Sequence, residues 1–287
     1  FSHKFFVYCN MTEILDKFKT DDLTTYLEFC KKFIDFDVDE ASNIATNTIK
    51  YYKGSKSNRD LLRYGQEIEN KWYQSLEEGK PDYDLYDDNY FVIEIWSCWV
   101  VYSRRYIKLL KGLELPKINS VIDLGNGIGY TTGALKQVFK DADVYGTNME
   151  GTLQFDIASK LGEDWNFKML PEPNIQSDLI FASEYFEHIE EPIKHLQNVL
   201  NVCQPKALVI ANSFGSKSMG HFDEYIYNGE KIQNKKIGRL FNKTLRNNNY
   251  KQLKTGFWNN RPTVWVKNEK TSSFINVNTD NKTQLFS

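Results

Sequence analysis

Two stretches of this chain hold residues whose types and spacing can do chemistry. The first is VIDLGNGIG (121–129), an apolar run that ends in Asp123 and three glycines at alternate positions. Glycine lets backbone approach a ligand with no Cβ in the way. A helix opening near Thr131 adds free N–H groups and the positive end of its dipole. The second is SDLIFASEYFEHI (177–189), followed later by His221. Histidine titrates near neutral pH, so His188 can act as a general base with Glu187 tuning it. Glu184, Glu187, His188 and His221 are also a mixed oxygen and nitrogen donor set of the kind that holds a divalent metal. The plain alternative is that Glu187 and His188 cap the next helix and that His221 lies on the surface.

The elements that must position these residues can be read from the pattern. From about residue 117 onward, apolar runs alternate with helical stretches. VIDLG (121–125), DVYGTN (143–148), SDLIFASE (177–184) and ALVIANSF (207–214) read as strands, and 131–140 and 189–202 as helices. Strands separated by helices of this length imply a parallel sheet with right-handed crossovers, an α/β fold. In such a sheet the ligand groups lie at the C-terminal ends of the strands. YKQLKTGFWNNRPTVWVK (250–267) reads as two strands joined through residues 259–262, an antiparallel pair suited to the sheet edge. The stretch before residue 115 reads as helices, over 11–36, 60–74 and 90–111, with an acidic turn at 81–89. The expected organisation is a helical N-terminal segment (1–115) that caps the pocket, a ligand-binding domain (116–269) and a polar tail (270–287). Tyr83, Tyr86, Tyr90 and Trp96 are candidates to line the pocket, and simple helix packing is the competing reading for Trp96.

The glycine spacing fits neither common phosphate cradle. The dinucleotide pattern G-x-G-x-x-G fails from Gly125, where the third glycine would be Tyr130, and from Gly127, where it would be Thr132. No Gly-Lys-Ser/Thr follows the loop either. Asp123-x-Gly125-x-Gly127-x-Gly129 resembles motif I of the class I S-adenosylmethionine (SAM)-dependent methyltransferases. The resemblance extends, in order, over about 150 residues. SEYFEH (183–188) is similar to the Ser-Glu-x-x-Glu-His end of the fourth strand in small-molecule methyltransferases, and QPKA (204–207) to the turn before the fifth.

It implies a Rossmann-like, doubly wound, mostly parallel seven-stranded sheet and SAM as cofactor. The cofactor would lie against Asp123, Gly125, Asn126, Gly127, Gly129, Asn148, Met149, Ser183 and Glu184, with Asp123 supporting the loop or the methionyl amino group. Asn148 departs from the family, which usually has an acidic residue there for the ribose hydroxyls; Glu150 is a substitute. Glu-x-x-Glu-His with a later histidine also resembles the metal site of small-RNA 2′-O-methyltransferases. The expected activity is methyl transfer to an O or N of a small-molecule acceptor, sugar- or nucleotide-like. The rival expectations are an RNA- or DNA-directed methyltransferase and a non-catalytic SAM-fold binding protein.

Composition narrows the rest. Hydrophobic residues make up 41% and aromatics 15%, ample for a core, so global disorder is excluded. The net charge of −2 leaves any basic surface local. One such stretch is 231–261, with Lys231, Lys235, Lys236, Arg239, Lys243, Arg246, Lys251, Lys254 and Arg261 and no acid. It suits a phosphate-bearing acceptor or nucleic acid, or is a solvated helix face. Cys9, Cys30, Cys98 and Cys203 form no CxxC pair, and free thiols in a reducing compartment are expected. The longest apolar stretch, 90–102, is too short to span a membrane and contains Glu94. No secretory signal is read, Met11 offers a start with residues 1–10 ahead of it, and a cytoplasmic protein is expected. His3 and His195, the latter on a helix and solvent-facing, are not site candidates.

Overall fold

The computed structural model describes residues 22–55, 59–110, 112–255 and 261–268. The helix expected from residue 11 therefore falls partly outside the described residues, as do Cys9, His3 and the tail.

The sheet has seven strands: β1 (Ser120–Leu124), β2 (Asp143–Thr147), β3 (Lys168–Leu170), β4 (Leu179–Ser183), β5 (Ala207–Ala211), β8 (Tyr250–Leu253) and β9 (Thr263–Lys267). A separate hairpin pairs β6 (Glu224–Tyr227) with β7 (Glu230–Gln233). The order in the large sheet is β3-β2-β1-β4-β5-β9-β8. The first five strands run parallel, and β9 is antiparallel to both β5 and β8. The edge pair expected from the sequence is thus present. The chain winds outward from β1 in one direction and from β4 in the other. A crevice therefore opens between the C-terminal ends of β1 and β4, the topological switch point where such folds bind ligands.

Helices cover both faces. α6 (Tyr130–Val138) and α7 (Leu153–Trp165) lie on the β2 side, and α8 (Pro192–Cys203) and α9 (Asn234–Asn247) on the other face. The N-terminal helices are α1 (Asp22–Cys30), α2 (Val38–Tyr52), α3 (Arg59–Glu77), α4 (Asn89–Cys98) and α5 (Arg104–Leu110). The apolar faces of α1, α2, α4 and α5 join Val121, Leu179, Phe181 and Val209 in one core. Strand alternation sends Ile122, Leu124, Ile180 and Leu208 to the opposite core, which Trp72 and Trp265 complete. Trp96 stacks on Tyr26 inside the helical layer and does not line the cavity, so the packing reading holds for it.

Local chemistry explains the boundaries nearest the site. Asp37 caps α2 by accepting from the Glu40 amide at 2.8 Å, and Asp88 caps α4 by accepting from the Tyr90 amide at 2.8 Å. Between α4 and α5 the helix widens into a π turn over Trp99–Ser103, a β-branched stretch. The widened turn brings Trp99, Tyr102 and Ser103 to the crevice. A one-turn 3₁₀ helix over Tyr83–Asp87 docks on the start of α7, where Asp87 accepts from the Leu153 amide at 2.9 Å.

Candidate active site

The loop after β1 turns at glycines with positive φ, 60° at Gly125 and 56° at Gly127, a region costly to a side chain. A Cβ on Gly127 would sit 2.7 Å from Ile95 Cγ2, and one on Gly125 would run into the Tyr185 ring. The loop is tied from beneath. The Asn126 amide N–H donates to the Thr147 carbonyl at 3.0 Å, and Asn126 Nδ2 donates to Thr132 Oγ1 at 3.1 Å. Thr132 in turn donates to Asp123 Oδ2 at 2.8 Å. Asp123 is buried and does not reach the cavity, so it braces the start of α6, the loop-supporting role. Burial pushes its carboxyl up to about 8, against the pull of the Thr132 hydrogen bond.

Asn148, at the end of β2, spends its side chain on the protein. Its Nδ2 donates to the Gly127 carbonyl at 3.2 Å and to Gln154 Oε1 at 3.3 Å, and its Oδ1 accepts from the Met149 amide at 2.9 Å. It therefore fastens the glycine loop to α7. Met149 and Asn148 both border the cavity, whereas Glu150 does not.

At the end of β4, Ser183 hydrogen-bonds across to Ser103, oxygen to oxygen 3.2 Å. Glu184 takes a φ of 51°, rare for a residue with a Cβ and characteristic of functional sites. Its carboxylate accepts from Arg261 and, at 3.1 Å, from the Ser213 hydroxyl. The sequence groups Arg261 with a basic strip. In the fold it sits just before β9, at the crevice mouth, and turns inward. Burial works against its charge, but Glu184 outweighs that and holds it protonated.

Glu187 is wholly buried and outside the cavity lining. It accepts from the Ser213 amide at 2.6 Å, while its Oε2 has no hydrogen-bond partner. Burial, and then repulsion from Glu184, raise its pKa well above the usual carboxylate range. The expected contact to His188 is replaced by another: Tyr86 Oη lies 2.8 Å from His188 Nδ1.

His188 and His221 both line the cavity, ring centroids 4.6 Å apart and edge to face. His221 is buried, at 4% exposure, and so is not a surface residue. Its Nδ1 lies 2.8 Å from the Ser216 carbonyl, which can only accept. That fixes the proton on Nδ1 and leaves Nε2 with a free lone pair. Burial lowers the pKa of both imidazoles, and for His188 the neighbouring His221 adds to the effect. Both are therefore neutral near pH 7.

The proposed metal set does not assemble. Among the described residues, no group of three or more His, Cys, Asp or Glu is placed to hold a metal ion. Glu184 is committed to Arg261, and Glu187 faces the Ser213 amide behind the wall.

These groups open on one cavity of about 1160 Å³. Its far wall is N-terminal: Tyr51 and Tyr52 from α2, Glu69 from α3, Tyr83 and Tyr86 from the 3₁₀ turn, and Tyr90, Phe91 and Glu94 from α4. Three of the four expected aromatics are there. The sequence reading missed His195, which is no solvent-facing residue. It borders the cavity and holds the Tyr185 hydroxyl at 2.9 Å from its Nε2. Its place one turn into α8, three residues after Pro192, was the available signal.

The remaining expectations fall elsewhere. Lys231, Lys235, Lys236, Arg239, Lys243, Arg246, Lys251 and Lys254 are exposed, those of α9 opposite its buried Ile237, Phe241 and Leu245. Cys30, Cys98 and Cys203 are free thiols. No described helix is long and apolar enough to cross a membrane.

Residues 122–211 match the family model described as a methyltransferase domain. Among solved structures, the chain is similar to an O-methyltransferase family protein from Burkholderia thailandensis, with TM-score 0.50 and 11% identity over 71% of this chain and 69% of that one. It is also similar to human N-acetylserotonin methyltransferase in complex with SAM, with TM-score 0.48 and 13% identity over 77% and 70%. A third is YcgJ from Bacillus subtilis, with TM-score 0.32 and 19% identity over 38% and 50%, so the chain spans half the length of that protein. At these identities the likeness is one of fold. The matched segment runs from β1 to β5, across the glycine loop and the switch point, and it is there that the chain is similar to a methyltransferase domain.

Proposed function

We propose that the protein methylates an oxygen or nitrogen of a small-molecule acceptor held between the glycine loop and the N-terminal tyrosines. One observation carries this reading: a single cavity joins the loop at Gly125 and Gly127 to two neutral histidines at the ends of the strands.

The residues present fit SAM. Two glycines with positive φ leave a bare backbone cradle, and the buried Asn126 Oδ1 still lacks a partner. Gly125, Asn126 and Gly127 would hold the cofactor, with Ser183 and Glu184 at the end of β4 and Met149 at the end of β2. Bound there, SAM supplies an electrophilic methyl group on a sulfonium sulfur.

The chain supplies alignment, a dry chamber and a base. His221 is set for the last task, because Ser216 holds its proton on Nδ1 and Nε2 is free to take the acceptor's proton. His188, braced by Tyr86, is the second neutral imidazole at the same place. Glu187 acts behind them by fixing the Ser213 amide, and Ser213 in turn orients Glu184. The tyrosine wall matches a flat or ring-bearing acceptor.

The test is product formation. Purified protein, methyl-labelled SAM and a panel of phenols, sugars, nucleosides and amines should yield S-adenosylhomocysteine in step with one methylated small molecule. Turnover only on RNA or DNA would overturn the acceptor class. Tight binding of S-adenosylhomocysteine with no turnover on any acceptor would favour a binding protein.

A further inference from the structure

Glu94 is the one charged residue in the apolar stretch 90–102, and the fold turns it toward the cavity. It lies on α4 beside Ile95, the residue that covers Gly127. Tyr52 donates its hydroxyl to Glu94 Oε1. None of the ion pairs among the described residues includes Glu94. The charge that acts on it is another carboxylate, Glu69, across the same cavity. Burial, with Glu69 adding to it, raises its pKa above the usual carboxylate range, while the Tyr52 hydrogen bond opposes this.

Aromatic rings surround the carboxylate. The Tyr52 ring packs against Tyr102, centroids 5.6 Å apart, and against Tyr51 at 5.8 Å. Burial pushes the Tyr90 phenol up to about 12, and the nearby Glu94 charge adds to the shift. Tyr51, Tyr52, Tyr90, Trp99 and Tyr102 all border the cavity. Glu94 is half-buried. A carboxylate so placed with no cation beside it is unfavourable, and a bound ligand can bring the missing charge. Aromatic faces add to the attraction for an ammonium group.

We infer that Glu94, inside this ring of tyrosines, is the docking point for a ligand's alkylammonium group. The inference rests on the reading of the cavity as a methyltransferase site. Two sources supply that chemistry: the amino-acid end of the cofactor, and an amine on the acceptor. Glu94 stands next to the residue over the cofactor loop and in the wall of the acceptor chamber, so both are within its range.

Four probes separate these sources by calorimetry. S-adenosylhomocysteine carries the amino-acid ammonium, and methylthioadenosine is the same thioether without that tail. Tyramine is a phenol with an amine, and p-cresol is the phenol alone. The expected result is that Glu94→Gln weakens at least one amine-bearing probe by about tenfold or more and leaves its amine-free partner unchanged. A loss confined to S-adenosylhomocysteine assigns the ammonium to the cofactor, and a loss confined to tyramine assigns it to the acceptor. Glu94→Gln protein that binds all four probes as the wild type does overturns the inference and leaves the functional reading standing. An equal loss on all four also overturns it, since the carboxylate would then serve only the shape of the wall. Wild-type protein that binds neither S-adenosylhomocysteine nor tyramine sinks the inference and the functional reading together. Thermal melting checks folding, and Glu94→Gln is expected to melt no lower than the wild type, because it removes an unpaired charge.

Discussion

The glycine loop and the tyrosine chamber face each other across one cavity, yet they are built in opposite ways. The loop is backbone. Its partners lie close in sequence, as with Thr132 and Asp123, or one strand away, as with Thr147 and Asn126. The chamber is side chains drawn from distant parts of the chain. Tyr86 reaches His188 over 102 residues, and Trp72 Nε1 donates to the His221 carbonyl at 2.7 Å over 149. A backbone cradle recognises one invariant ligand. A wall assembled from many side chains can change its acceptor without disturbing that cradle. The two regions should therefore fail differently when broken.

The sharpest break is Gly127→Val. It places a branched side chain at a φ of 56° and drives its Cβ into Ile95. Binding of S-adenosylhomocysteine should be lost to calorimetry, with melting lowered by the backbone strain of about 1–2 kcal/mol. Unchanged affinity would falsify the loop as the cofactor site.

On the chamber side, His221→Ala should cut turnover by about 10²–10⁴-fold while S-adenosylhomocysteine binds as before. The pH dependence carries the same message. A neutral imidazole is the base, and burial holds both histidines below their ordinary 6.5. The kcat/KM profile should stay flat from neutral pH down to 6.5 and fall only at lower pH. Stability should follow the same sign. The unfolded chain binds these protons first, so the contribution is complete above pH 6.5 and is lost as pH falls through the lowered folded values. An acid limb centred above pH 7 would exclude His221 and His188 as the base.

What the sequence revealed divides along the same line. The cradle was legible because Asp123, Gly125 and Gly127 act through backbone geometry written in consecutive residues. The parallel sheet followed from alternating strands and helices, and the edge pair from the run on either side of 259–262. The chamber was not legible, because its contacts depend on which helix faces which. α2 went unseen since its inner face is Ala41, Ala45 and Thr48, small or polar residues that make a faint stripe. Its only clear mark was the Asp37 cap. Arg261 read as part of a charged strip, and only the register of β9 against β5 turns it to Glu184. Glu187 and His188 are neighbours in sequence, which suggested a dyad, but the 3₁₀ turn sends one behind the wall and the other into the cavity.

Asn148 joins the two regions, and its substitution tests how far they are independent. In place of the acidic residue the family usually has, it donates to Gly127 and Gln154, and Gln154 Nε2 donates to the Tyr86 carbonyl at 2.8 Å. Asn148→Asp would set carboxylate oxygens against two acceptors. Losing such donors costs about 1–3 kcal/mol, so S-adenosylhomocysteine affinity should fall by about tenfold or more. A gain in affinity would mean instead that the ribose lies within reach of residue 148 and that the loop tolerates losing its tie.

The smallest effect is expected at the exposed face of α9. Lys235, Lys236, Arg239 and Lys243 point away from the buried Ile237 and Phe241, and in this fold they are a solvated face. Replacing all four with Gln should leave S-adenosylhomocysteine affinity and small-molecule turnover within about twofold, since exposed charges remote from a site contribute little. Binding of the wild type to a short single-stranded RNA, measured between low and physiological salt, should be weak and unaltered by the four changes. A steep fall of affinity with salt, removed by the same changes, would mark counterion release from a phosphate track. The acceptor would then be a nucleic acid laid along α9, and the tyrosine chamber would receive only the part of it that reaches the cavity.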